Sequence, residues 1–239
     1  MVITDFVNDT EKFTLDGESS DEYGLFCDYL PPMPLAEQQY TTSNVGSDEM
    51  LTTPDEVFSD IKYQIRFYTF LTDDYNDMLI KGFCADKKIL TLSKFPSYYF
   101  KIKRISLQAI DGSGYGKRVD YTLTLTLAPF RYSTVNPQIT MSEAGNVTNT
   151  HTRYSKPEFT IIGTGDIALT VQGRTLNVYG LETSQTVVID SMRHIIYSGN
   201  TYLTGKSSGY YPLFNVGVNA VSWVGNISSV KYRPNWRDY

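Results

Sequence analysis

From Val119 to Tyr132 the chain reads VDYTLTLTLAPFRY, with apolar and polar positions in strict alternation up to Leu127. Tyr121, Leu123, Leu125 and Leu127 share one face, and Thr122, Thr124 and Thr126 share the other. A period of two is that of a half-buried strand. Pro129 cannot donate to a ladder, so the run is predicted to stop there. Ile61 to Leu71 repeats the pattern, with Ile61, Tyr63, Ile65, Phe67 and Thr69 against Lys62, Gln64, Arg66 and Tyr68. Tyr98 to Leu107 is a third long strand and Lys88 to Leu92 a short one. Gly112-Ser113-Gly114-Tyr115-Gly116 makes a hairpin tip between the third strand and the first described, because glycine tolerates positive φ. Two strands around a turn at Asn8-Asp9, and another over 21–30, are predicted before them.

The helical period occurs once. Thr72-Asp73-Asp74 offers an N-cap with carboxylates in the first turn. Tyr75, Met78 and Leu79 follow at i, i+3 and i+4, and Lys81-Gly82 marks the end, giving a helix over about 73–81. Pro31-Pro32-Met33-Pro34 forbids regular helix or central strand. The text from there to about residue 58 is polar and turn-rich, so 31–58 reads as an extended arm whose job is contact with another subunit. Pro34, Tyr40, Val45, Met50 and Leu51 are its candidate subunit-interface residues.

After Tyr132 the pattern changes. Residues 133–157 read as a polar connector. Short strands follow at about 158–163, 166–172, 174–179, 185–190, 193–197, 219–224 and 227–233. Turn signals separate them at Gly163-Thr164-Gly165-Asp166, Gln172-Gly173, Ser198-Gly199-Asn200 and Val224-Gly225-Asn226. Short strands with regular turns predict a β-sandwich over 158–239, with Trp223 inward beside Val221. The chain therefore reads as mainly β, an N-terminal sandwich or split-barrel domain over 1–132 followed by a second sandwich. The closing KYRPNWRDY either finishes the sandwich or returns to the first domain.

Composition narrows the chemistry. The 239 residues carry a net charge of −5, which disfavours phosphate contact as a main task. The 19 tyrosines favour strands, interfaces and wet grooves. No apolar run approaches the ~20 residues of a membrane span. The N-terminal MVITDFVNDTEKF lacks the basic and apolar regions of a signal peptide, so synthesis in a reducing cytoplasm is expected. Cys27 and Cys84 fit no metal spacing; they read as buried free thiols, with a disulfide as the alternative. His151 sits in the connector and His194 in a predicted strand near Asp190 and Arg193, both read as structural. Asp73/Asp74 read as helix capping, and Asp55/Glu56 fall in polar text. No nucleophile elbow and no metal cluster is present, so no catalytic, metal or cofactor residue is assigned. Tyr197, Tyr202, Tyr210 and Tyr211 could line a sugar-stacking surface; Tyr202, Tyr210 and Tyr211 are the candidate sugar contacts.

The order of several motifs resembles the distal tail proteins of long-tailed bacteriophages with non-contractile tails. The first half carries Asn44-Val45-Gly46-Ser47-Asp48-Glu49, then Phe58-Ser59-Asp60-Ile61, then the strand, helix and hairpin that end in Pro129-Phe130-Arg131-Tyr132. The second half carries Pro157-Glu158-Phe159-Thr160-Ile161-Ile162-Gly163-Thr164-Gly165-Asp166 and Val187-Val188-Ile189-Asp190. Gly217-Val218-Asn219-Ala220-Val221-Ser222-Trp223-Val224-Gly225 and Arg233-Pro234-Asn235-Trp236-Arg237 complete it. Gly46 departs from the glycine-basic-acidic form of the family. The connector holds no insert large enough for an added receptor-binding or carbohydrate module.

The resemblance implies a structural virion protein at the far end of the tail. Six copies form a ring through the belt-like arm, and a galectin-like second domain projects outward. Its partners are the tail tube protein, the tail-tip protein and receptor-binding or baseplate proteins, and DNA passes the lumen unread. The alternative is a carbohydrate-binding adhesion protein. Galectin sites use a His-x-Asn-x-Arg strand and a Trp followed by Glu; His151-Thr152-Arg153 and Trp223-Val224-Gly225 match neither. A tail-associated hydrolase is a third reading.

Overall fold

The computed structural model describes residues 11–44, 50–70, 74–110 and 118–239. The chain divides into two compact units, Met1–Thr134 together with Tyr239, and Val135–Asp238. The predicted turn at Asn8-Asp9 and the glycine tip 112–116 lie outside the described residues.

The first unit begins with a tight hairpin, β1 (Phe13–Leu15) and β2 (Glu18–Ser19), turning at Asp16 and Gly17, both at positive φ. A two-stranded ribbon follows, β3 (Gln38–Asn44) and β4 (Met50–Phe58), then β5 (Ile61–Thr69), α1 (Asp74–Cys84), β6 (Ile89–Leu92), β7 (Tyr98–Ile110) and β8 (Val119–Ser133). The antiparallel sheet runs β5-β8-β7-β6-β1-β2 and curls as a half-barrel around one core. The alternation read from the sequence sets which face is inside. Ile61, Tyr63, Ile65 and Phe67 of β5 and Tyr121, Leu123, Leu125 and Leu127 of β8 are buried.

Three local expectations change. β8 does not stop at Pro129. Phe100 pairs with Arg131 and Ile102 with Leu127, so four residues of β8 span two steps of β7. Pro129 sits in that bulge, where it interrupts no ladder bond. The bulge also flips the phase: Leu127 and Ala128 are both buried, then Phe130 and Tyr132. Residues 21–30 are not a strand. Ser20–Tyr23 forms a 3-10 turn, and Gly24 closes it in the left-handed region, with its N–H donating to the Asp21 carbonyl at 3.1 Å. Helix α1 runs on through Gly82, because the face that meets the core is Ile80, Phe83 and Cys84. Met78, predicted inward, is 69% exposed, and Leu79 is exposed too. Cys27 and Cys84 are separate buried thiols, which burial pushes up to about 11 and about 12.

The second unit is built on three long strands, β11 (Glu158–Val171), β12 (Arg174–Asp190) and β16 (Gly217–Arg233). Each replaces two predicted short strands. The glycines read as turns are bends within them: the registers shift between Gly163 and Gly165 and between Gly165 and Ile167, and the β11–β16 register jumps from Thr164–Asn226 to Ala168–Val224. At one end the trio is flanked by β10 (Gly145–Asn149) and β15 (Ser207–Gly209). At the other it is flanked by β9 (Ile139–Met141) and the hairpin β13 (Ile195–Ser198) and β14 (Thr201–Tyr202). The bends let both ends share one core. Phe159, Ile161, Val187, Ile189 and Val230 lie in the same cluster as Ile167, Leu169, Val171, Leu176, Val178 and Val221. Gly225 stands at φ +115°, and a Cβ added there would lie 2.6 Å from the Asp166 carbonyl oxygen. That close approach requires glycine. The stretch read as a connector thus supplies two strands, with Val147 and Asn149 buried. Trp223 packs against the core beside Val221, as the alternation predicted.

Candidate assembly surface

The stretch read as an arm holds a two-stranded β-ribbon among the described residues. Pro31 to Pro34 holds the approach extended, and Tyr63 Oη donates to the Pro31 carbonyl at 2.8 Å, fixing the approach to the core. The root is latched where Ser59 N–H donates to the Glu37 carbonyl at 2.9 Å and Glu37 N–H donates to Ser59 Oγ at 3.1 Å. Phe58 then sits against Phe130 and Tyr239, with ring centroids at 5.2 and 5.6 Å. Beyond this root β3 and β4 pair only with each other among the described residues, from Gln38–Phe58 out to Asn44–Met50. Nine residues of β4 reach roughly 30 Å. A two-stranded ribbon with no third strand or layer is marginal in water.

Of the arm residues singled out in the sequence, Pro34 is exposed and Tyr40 is 58% exposed. Met50 and Leu51 lie on β4 opposite Asn44 and Ser43. Val45 lies outside the described residues. Leu35 and Val57, not singled out, are also exposed. Asp55 and Glu56 lie on β4, Asp74 opens α1, and Asp73 falls outside the described residues.

The tyrosines of the second unit do not form one surface. Tyr197 and Tyr202 face each other across β13 and β14. They share a shallow cleft of about 290 Å3 with Arg193 and Asn200. Tyr210 follows β15 at the other end of β12, its N–H donating to the Thr175 carbonyl at 2.9 Å. Tyr211 turns to stack on His194 at 4.9 Å. His194 is not in a strand: it ends a turn at φ +56°. Asp190 organises that turn by accepting from Met192 and Arg193 N–H groups at 2.9 and 3.0 Å.

His151 meets a residue that sequence reading missed. Its Nδ1 lies 2.8 Å from Asp238 Oδ2, and its ring stacks on Trp236 at 5.6 Å. Asp238 is 4% exposed. Its other oxygen accepts from Thr152 N–H at 2.7 Å and Thr152 Oγ1 at 2.9 Å. Burial raises the Asp238 carboxyl, and the bonds from His151 and Thr152 more than reverse it, down to about 2. The pair ties the closing residues to the stretch around 151. No local signal joins two positions 87 residues apart.

A larger cleft, about 520 Å3, lies beside β5 between Asp28, Tyr29, Pro31, Gln64, Arg66 and Arg118. Arg118 lies over the Tyr68 ring at 3.7 Å and donates to Asp120 at 2.6 and 3.0 Å. Among the described residues, no group of three or more His, Cys, Asp or Glu is placed to hold a metal, and no helix is long and apolar enough to cross a membrane.

No protein-family profile and no curated protein matches the chain. Solved structures do. One is the crystal structure of the Dit protein of phage SPP1, described as a paradigm of the hub adsorption apparatus in phages that infect Gram-positive bacteria. It matches with a TM-score of 0.66 at 13% identity, over 93% of this chain and 98% of that one. The chain has the fold of that protein.

Proposed function

We propose that this chain is the structural hub at the distal end of a phage tail. Six copies close a ring through the β3–β4 ribbon. The ring joins the tail tube protein to the tail-tip and receptor-binding or baseplate proteins, and DNA passes its lumen without being read. The protein is made in the host cytoplasm and resides in the virion tail. The second unit is a galectin-like sandwich that projects from the ring and carries adhesion partners.

The observation that carries this reading is the ribbon. A two-stranded arm with exposed Leu35, Tyr40 and Val57, which pairs with no third strand among the described residues, asks for a neighbour. A ring needs a protruding patch and a different receiving patch on every copy. The agreement in fold along nearly the whole of the hub protein of SPP1 supports the same part in a tail.

Light scattering after size exclusion, followed by negative-stain imaging, tests it. A mass near six chains and annular particles with a central hole are the expected result. A protein that stays at the mass of one chain at every concentration, with or without a tail tube partner, would count against the ring.

A further inference from the structure

The outer face of the first unit's sheet is a basic plane in an acidic protein. The registers place Lys62 beside Thr126 and Arg104, Gln64 beside Thr124 and Ser106, and Arg66 beside Thr122 and Gln108. The outer rows, Lys62, Gln64 and Arg66 on β5 and Arg104, Ser106 and Gln108 on β7, are exposed. The threonine column between them is half-buried. The nine positions hold three cations and no acid. Lys62, Arg66 and Arg104 have no ion-pair partner among the described residues, unlike Lys103, which pairs with Asp60. Lys62 and Arg66 are about 13 Å apart along the strand, and Lys62 and Arg104 about 10 Å apart across it. Short threonines between longer rows leave a shallow trough, flat enough for a second β layer.

The ribbon has the opposite sign. Residues 31–58 contain Glu37, Asp48, Glu49, Asp55 and Glu56 and neither lysine nor arginine. Glu37 lies at the ribbon's root, and Asp55 and Glu56 on β4. One element of the unit is thus a two-stranded ribbon with acids on β4 and at its root, no cation, and no partner layer among the described residues. Another is a basic three-stranded face with open ion-pairing capacity.

We propose that the face bearing Lys62, Arg66 and Arg104 receives the acidic β3–β4 ribbon of a second copy of this chain. The inference rests on the ring reading above and adds its acceptor surface. The two patches differ, so the contact is head-to-tail and propagates around a ring. Opposite fields speed encounter and set the register of the ribbon on the face. Three cations on a chain of net charge −5 suit a short acidic ribbon better than a polyanion.

A charge swap tests this. The first variant carries Lys62→Glu, Arg66→Glu and Arg104→Glu, all on exposed positions, with the thermal transition as the check on folding. The second carries Glu37→Lys, Asp55→Lys and Glu56→Lys. Each alone is expected to lower the ring's mass sixfold to that of one chain, and the two sets combined in one chain to restore the ring. Rings that survive the first variant would overturn the acceptor surface and leave the ring reading standing. A combined variant that stays at one chain would overturn the pairing. A wild-type protein that never exceeds one chain, with or without a tail tube partner, would overturn both readings. Retention of duplex DNA by the wild type, lost in the first variant while its rings persist, would reassign the face to nucleic acid.

Discussion

Two of the antiparallel ribbons in this molecule live in opposite surroundings. β11 and β12 pair from Glu158–Asp190 to Val171–Arg174, and β3 and β4 pair from Gln38–Phe58 to Asn44–Met50. Both satisfy their backbones by the same ladder. The first sends Phe159, Ile161, Leu169, Leu176, Val187 and Ile189 into a core and is flanked by β16 on one side and β13 and β15 on the other. The second reads TTSN and TTPDE along its strands. Net stabilisation per ladder bond is small, about 1 kcal/mol, so what covers the face decides whether a ribbon stands. Among the described residues, no second layer of the same chain pairs with the second ribbon, so on the proposed reading its cover comes from another copy.

The largest expected effect tests the covered ribbon. Phe159 meets Phe214 and Tyr232 at 5.9 and 5.8 Å in the core. Phe159→Ala should cost about 3–5 kcal/mol and lower the second unit's melting transition by 15 °C or more in calorimetry. A loss below about 1 kcal/mol would mean that this ribbon, too, depends little on its core.

Next comes the bend that lets the covered ribbon close on itself. Gly225→Ala places a Cβ against the Asp166 carbonyl, at a φ that side chains rarely adopt. The expected cost is about 3 kcal/mol, from strain and overpacking together. Gly173→Ala also sits at positive φ, but a Cβ there meets nothing within 4 Å. It should cost only about 1 kcal/mol. Equal losses at the two positions, read from urea midpoints, would remove the close approach as the cause.

These bends mark the limit of what the sequence discloses. The alternation over 61–69 and 121–127 placed two strands and their inward faces, because period two is a local property. Gly163, Gly165 and Gly225 were legible as turn signals, but a glycine marks a turn and a bulge alike. Only the partner strand decides between them, and Asp166 lies far in sequence from Gly225. Pro129 misled for the same reason, since a bulge accepts the residue that a regular ladder refuses. In α1 the spacing of Tyr75, Met78 and Leu79 competed with that of Ile80, Phe83 and Cys84, and the second set is the one buried in the core. β9 and β10 were too short and polar to stand out from a connector. The ribbon's residues were legible as polar, turn-rich text but not as two paired strands, and the phase that put Lys62, Gln64 and Arg66 opposite the core also drew half of the basic face. Arg104 joined it only through the register with β8.

A third test weighs a polar tie against these apolar ones. Asp238 has its carboxyl held at about 2, against an ordinary value of 3.8. A lowered pKa adds stability above the unfolded value and loses it as pH falls through the folded one. The tie should therefore contribute about 2 kcal/mol at pH 7 and fade from about pH 4 down to pH 2. Asp238→Asn should lower the stability of the second unit by that amount at pH 7. The gap to wild type should then close on acidification. A gap that persists at pH 2 would assign the loss to packing of the tail instead.

The smallest effect on folding is expected in the uncovered ribbon, and it separates the two cases best. Tyr40 stands on β3 opposite Pro54, where the register of the ribbon shifts, and more than half of it faces solvent. Tyr40→Ser removes a side chain that is more than half exposed in its own unit, so the melting transition should move by less than the equivalent of about 0.5 kcal/mol, as for most surface changes. If the ring covers that ring face in a neighbour's contact, the same change should lower the proportion of six-chain particles at a fixed concentration by about tenfold, the measure of a buried aromatic anchor lost. A variant that melts early would place Tyr40 in the fold of its own chain. A variant that neither melts early nor loses rings would leave Tyr40 outside the contact and move the anchor to Leu35 or Val57.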